Sequence, residues 1–266
     1  MDGVADRIRS ELAFHDEQAT CRAHYFRSHP DHLQFDDNDY LDHETWVRPA
    51  LAQLGDVRGL DVLDFGCGHG MAAVVLARSG ARVTAFDLSP NYVAECQTRA
   101  ASNGVALRAL AADGERLPFA DASFDRIWGN AVLHHLDLDI ATRELRRVLR
   151  PGGVAVFCEP WAGNPLLNWA RRTLPYRGKH RTVDESPLTP AQLREMRLVF
   201  GAVEVQGHQL LAMIRRVLPA GHCPSWVDRA DAWLLHRFPV VQHWSRYMVL
   251  TCRVSQSNPS PTLVGV

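Results

Sequence analysis

A chain of 266 residues with 46% apolar and 22% charged residues can bury one large α/β core or two small ones, which excludes a fibrous or disordered protein. A formal net charge of -1 argues against a dedicated nucleic-acid binder and directs attention to small-molecule or protein partners. The six cysteines form no C-x-x-C pair, no apolar run approaches a membrane span, and the charged start MDGVADRIRSELAFHDE does not read as a secretory leader. A reduced, cytoplasmic setting without disulfides or membrane contact is therefore expected. Thirteen histidines, with His29/His32 and His134/His135 as pairs, lack a coherent ligand set with nearby carboxylates, so no metal is expected.

Apolar positions Val4, Ile8, Leu12 and Cys21 or Ala23 predict one or two amphipathic helices before Pro30. Residues 31–42 are acidic without a period and read as a loop; 43–54 has helical spacing, weakened by Pro49. A strand at about 61–65 runs into the glycine turn Gly66-Cys67-Gly68-His69-Gly70 and a helix over 70–79 stopped by Gly80. Strand two, 82–86, ends at Asp87, and Ser89-Pro90 caps a helix to about 101. Strand three, 105–110, ends near Asp113-Gly114. Strand four, 124–128, leads to Asn130 and His134-His135. A helix with Ala141, Leu145 and Val148 on its dry face stops at Pro151-Gly152-Gly153, and strand five, 154–158, ends at Glu159-Pro160.

Residues 161–187 break the pattern and read as an insertion with a short helix at 165–173. Thr189-Pro190 caps a helix through Val199, 201–206 is strand six, 210–218 reads as helical, 246–254 is the last strand, and the tail from Ser255 reads as disordered. Strands alternating with helices imply right-handed crossovers and a parallel sheet, whose ligands gather at the carboxyl ends of the strands. That edge carries Asp64 to Gly70, Asp87, Asp113, Asn130, His134 and Glu159.

The turn is a cofactor site, because glycines let the backbone take φ > 0 and lie against a ligand below a helix N-terminus. Met71 stands where a dinucleotide site needs its third glycine, and no G-K-[ST] follows, so a pyrophosphate and a P-loop are both disfavoured. Asp87 fits a ribose diol, since one carboxylate accepts from both hydroxyls.

The blocks VLDFGCGHG, AFDLS, AADGERLPFADASFDRIWGNAVLHHL and RVLRPGGVAVFCEP, in that order, resemble the class I S-adenosylmethionine-dependent methyltransferases, strongly over residues 43–160 and loosely beyond. The resemblance implies a doubly wound, Rossmann-like sheet of seven strands, mostly parallel with the last antiparallel. It implies an N-terminal helical lid (1–42) on a main domain (43–254) whose insertion (161–187) borders the acceptor. It further implies S-adenosylmethionine as cofactor, leaving as S-adenosylhomocysteine. Asp64 and the Gly66, Cys67, Gly68, Gly70 turn would meet the methionine portion, Asp87 with Leu88 the ribose, Asp113 with Gly114 the adenine amino group, and Asn130 the sulfonium side.

Glu159 reads either as a general base or a group that steadies a cation, or as a structural acid bonding backbone at the Pro160 turn, and His134 as the imidazole at the acceptor edge, His135 as packing. His15, Tyr25 and Tyr40 are lid candidates or ordinary surface and amphipathic residues. Trp161, Trp226, Trp233 and Trp244 read as an acceptor pocket, a homo-oligomer contact or core; Arg171, Arg172, Arg177, Lys179 and Arg181 as an anion grip or solvated charge. The function expected is methyl transfer to O, N or C of a small, apolar secondary metabolite. The rival is a protein on the same scaffold, a cyclase or sensor, that binds the cofactor without transferring its methyl.

Overall fold

The computed structural model describes residues 2–173, 186–216 and 226–255. Seven strands, β1 (Asp61–Phe65), β2 (Arg82–Asp87), β3 (Arg108–Ala111), β4 (Phe124–Asn130), β5 (Leu149–Pro160), β6 (Ala202–His208) and β7 (Tyr247–Arg253), form one sheet in the order β3-β2-β1-β4-β5-β7-β6. β1 to β5 pair in parallel, and β7 runs antiparallel between β5 and β6. The chain winds outward from β1 to β3, then returns to place β4 on the other side of β1. Connections leave β1 and β4 in opposite directions, so a crevice opens above their carboxyl ends.

Both faces of the central strands are buried, as a parallel sheet requires. Leu63 and Phe65 of β1 pack with Phe86, Ile127, Leu145 and Phe157 on one face; Val62 packs with Leu76, Ala85, Trp128 and Val156 on the other. Among the described residues nine α-helices accompany the sheet: α1 (Asp2–Ser28), α2 (Asp37–Leu41), α3 (Val47–Ala52), α4 (Met71–Arg78), α5 (Pro90–Ser102), α6 (Leu138–Val148), α7 (Pro165–Thr173), α8 (Pro190–Phe200) and α9 (Trp226–Arg237). Among the described residues no helix is long and apolar enough to cross a membrane.

The element boundaries differ from expectation where local side chains decide. The segment expected to be a loop contains α2, because Asp36 and Asp39 form a capping box in which each carboxylate accepts a backbone N–H of the helix start. α3 begins at Val47, which places Pro49 in the first turn where a missing N–H costs nothing. β5 continues through Pro151-Gly152-Gly153, with Gly152 at φ 77 and an irregular register against β4. α9 has no counterpart in the sequence reading, where Trp226 and Trp233 read as pocket, contact or core. Trp161 is core, fully buried with its indole N–H donating to the His243 carbonyl at 3.1 Å. Arg171 donates to the Trp161 carbonyl and to Asn168. Arg177, Lys179, Arg181 and the tail from 256 lie outside the described residues.

Candidate active site

The glycine turn takes its shape from the backbone. Gly66, Gly68 and Gly70 all have positive φ, at 69, 46 and 79°. A Cβ on Gly70 would lie 2.6 Å from the Cys96 thiol and 2.8 Å from its Cα, so α5 packs directly against the start of α4. A Cβ on Gly68 would meet nothing within 4 Å, because this glycine faces an open cleft. The cleft encloses about 210 Å³ and lies where β1 and β4 diverge.

Four strand ends supply its polar groups. Asp87, at the end of β2, is 9% exposed and accepts the N–H of Gly68 at 2.9 Å and of Ser89 at 3.0 Å. Burial pushes its carboxyl above the ordinary carboxylate range, against the pull of those two N–H groups. Asp113, past the end of β3, bonds the N–H of Glu115 at 2.8 Å and lines the cleft with Gly114 and Leu88. Asn130 closes β4 and lines the cleft too; its Oδ1 is buried without a hydrogen-bond partner. Under the turn, Asp64 is 2% exposed, and burial, then the charge of Asp87, lifts its pKa to about 7. Its Oδ2 also lacks a partner. His69 reaches the cleft as a neutral imidazole: burial, then Arg22 and Arg99, holds its pKa at about 4.

The opposite wall is α1, whose Arg7, Ile8, Glu11, His15 and Gln18 face the cleft. Long-range polar contacts hold it there. Arg7 pairs with Glu115, Asp16 accepts from Ser89, Gln18 from the Tyr92 hydroxyl at 3.1 Å, and Arg22 donates to both oxygens of Glu95.

Glu159 and His134 come together, though neither lines this cleft. Glu159 is fully buried; its Oε1 accepts the N–H groups of Val132 and Leu133 at 3.0 and 2.9 Å, and its Oε2 lies 2.7 Å from His134 Nδ1. The carboxylate thus fixes the turn after β4, the structural alternative of the sequence reading, on different backbone groups from those expected. His135, expected as packing, faces the cleft instead. Cys67 is also displaced from its expected place: its thiol is buried against that of Cys96, away from the cleft. Tyr40 is buried, its hydroxyl bonded by the Trp128 indole at 3.1 Å and by Asn130, while Tyr25 is exposed against His32.

Residues 63–157 match the family described as "Methyltransferase domain". This stretch, about a third of the chain, is similar to a methyltransferase domain. The chain is 45% identical over 122 residues to a malonyl-[acyl-carrier protein] O-methyltransferase of Pseudescherichia vulneris, covering 45% of this chain and 47% of that one. The chain therefore spans about half the length of that curated relative. Among solved structures, geranyl diphosphate C-methyltransferase of Streptomyces coelicolor A3(2), in complex with Mg2+, geranyl diphosphate and S-adenosyl-L-homocysteine, superposes with a TM-score of 0.53 at 19% identity over 77% of this chain and 75% of that one. The [4+2]-cyclase SpnF superposes with a TM-score of 0.52 at 22% identity over 80% and 83%. At these identities the two structures show the shared fold.

The cofactor of class I methyltransferases is S-adenosylmethionine, and the cleft fits it. Asn130 Oδ1 is a buried acceptor on the cleft wall still lacking a donor, which the cationic methionine end can provide, and Gly68 leaves open the space a side chain would fill. The sequence reading of the methyltransferase domain missed the contributions of Arg7, Glu11, Gln18, Tyr92 and Glu115, whose place depends on how α1 docks. Only the i, i+4 spacing of Glu11 and His15 hinted at a shared helix face.

Proposed function

We propose that the chain transfers the methyl group of S-adenosylmethionine to oxygen, nitrogen or carbon of a small, apolar acceptor. The observation that carries this reading is Asp87, a buried carboxylate at the end of β2 that lines the cleft with Asp113 from the neighbouring strand end and accepts the Gly68 N–H of the glycine turn. Asp87 beside Leu88 would take the ribose hydroxyls, Asp113 with Gly114 the adenine amino group, and Asn130, Asp64 and the Gly66–Gly70 turn the methionine end. When bound, the cofactor supplies a methyl group on a cationic sulfonium, so alignment and exclusion of water are what the protein must add. We assign the exclusion of water to α1, acting as a lid over the cleft.

For an acceptor that must lose a proton, we assign the base to His134 and its orientation to Glu159. An apolar acceptor is supported by α7, which follows β5 and leaves Leu166 and Trp169 exposed at 68% and 60%. The likeness to SpnF supports a second reading, a cyclase that keeps the cofactor without spending it.

Incubation with methyl-labelled S-adenosylmethionine and a metabolite extract of the host tests the two. Label appearing in one small product is expected. Cofactor binding without transfer moves the assignment to the cyclase reading, and no binding sinks both. His134→Gln should lower kcat more than cofactor affinity, and Glu159→Gln likewise; an equal fall in both would make the pair structural.

A further inference from the structure

Three side chains of the cleft wall converge on one point. Glu11 and His15 lie one turn apart on α1, and His135 comes from the turn after β4; one ligand atom of each falls within 4.8 Å of the others. Glu11 Oε2 is 3.4 Å from His15 Nε2 and 3.0 Å from His135 Nδ1. The two imidazoles meet edge to face with centroids 5.3 Å apart. His135 Nδ1 is buried and counts no hydrogen-bond partner in spite of the 3.0 Å approach, so the direction of its ring nitrogen misses the carboxylate oxygen.

That geometry is odd for a hydrogen bond and ordinary for two ligands of one ion. Ligands around tetrahedral zinc, each about 2.0–2.1 Å from the metal, stand about 3.3 Å from one another, with their lone pairs aimed at the common centre and not at each other. The donor set, two imidazoles and a carboxylate, is one that borderline divalent ions take, with the remaining position open to the cleft. We propose that Glu11, His15 and His135 bind one divalent cation of the Zn2+ class, which staples α1 to the turn after β4 and holds the cleft covered. The histidine pairs of the sequence, His29/His32 and His134/His135, do not reveal this set, because His135 lies 120 residues beyond His15 and meets it only through the docking of α1.

Titration of the metal-free full chain with Co2+ tests the site without any cofactor, so its outcome is independent of the methyltransferase reading. Expected are one equivalent bound, with the intense visible bands of tetrahedral Co2+, displacement by Zn2+, and slower hydrogen exchange of α1 on Zn2+ addition. Glu11→Gln, His15→Gln and His135→Gln should each weaken binding by more than the roughly 10- to 100-fold that loss of a supporting hydrogen bond costs a metal site. Each variant is compared only if its metal-free melting matches that of the wild type; His32→Gln, at the exposed Tyr25 cluster, should bind as the wild type does. Absence of binding, retention of the bands in His135→Gln, or their loss in His32→Gln would overturn the proposal.

Discussion

The floor of the cleft is made of four strand ends and a glycine turn, while its cover is a single helix of 27 residues held by side chains. In the floor, Gly66, Gly68 and Gly70 sit at positive φ, and Asp87 is fixed by two backbone N–H groups. In the cover, each tie is a long side chain reaching across: Arg7 to Glu115, Gln18 to Tyr92, Arg22 to Glu95. Backbone geometry cannot relax without disturbing the sheet, whereas partly exposed charge pairs are individually weak and screened by salt. On the proposed reading the difference divides the labour: the floor would give the cofactor a fixed template, and the cover would open.

Substitutions should separate the two regions by the size and kind of their effects. Gly70→Ala strikes the floor hardest, since the new Cβ meets Cys96 and must adopt a left-handed φ. A loss of about 2–5 kcal/mol in urea unfolding is expected from overpacking and strain together; wild-type stability would show the turn to be pliable. Asp87→Ala should leave the fold in place but weaken S-adenosylmethionine binding by about 1.5–3 kcal/mol in calorimetry, the scale of hydrogen bonds to a charged group.

Asp64 gives a pH dependence of defined sign. Its folded pKa of about 7 means that below pH 7 the cofactor-free protein holds a proton there. In the proposed site the cationic methionine end would lower that pKa, so the complex would hold fewer protons. Affinity should therefore rise with pH up to about 7, by at most tenfold per unit, and level off above. Asp64→Asn should flatten the profile; a slope persisting in that variant would place the titrating group elsewhere.

The smallest effect belongs to the cover. Arg22→Ala removes one partner of Glu95, which keeps Arg99 at 2.9 Å, so global stability should change by about 1 kcal/mol or less. Hydrogen exchange of α1 should nevertheless speed up while β1 and β4 keep their protection, and the difference should shrink at high salt. Equal acceleration in the sheet would mean that cover and floor open as one unit.

The same division explains what the sequence disclosed. Asp87, Asp113, Asn130 and the glycines were legible because strand ends in a parallel sheet share an edge, whatever the side-chain details. α1 was legible as a helix but not as a cleft wall, because its direction is set by Arg7, Asp16, Gln18 and Arg22 meeting residues far along the chain. His134 and His135 are adjacent, and only the turn after β4 decides that His134 bonds Glu159 while His135 faces the cleft. Cys67 read as part of the cofactor turn, yet its thiol points inward, toward Cys96. α9 escaped notice because its exposed Trp226 and Trp233 gave no dry face to recognise.

Calorimetric titration of the full chain with S-adenosylmethionine, and separately with NAD, tests the account of the cleft most directly. One equivalent of S-adenosylmethionine should bind and NAD should not. Binding of NAD in the absence of S-adenosylmethionine binding would contradict it.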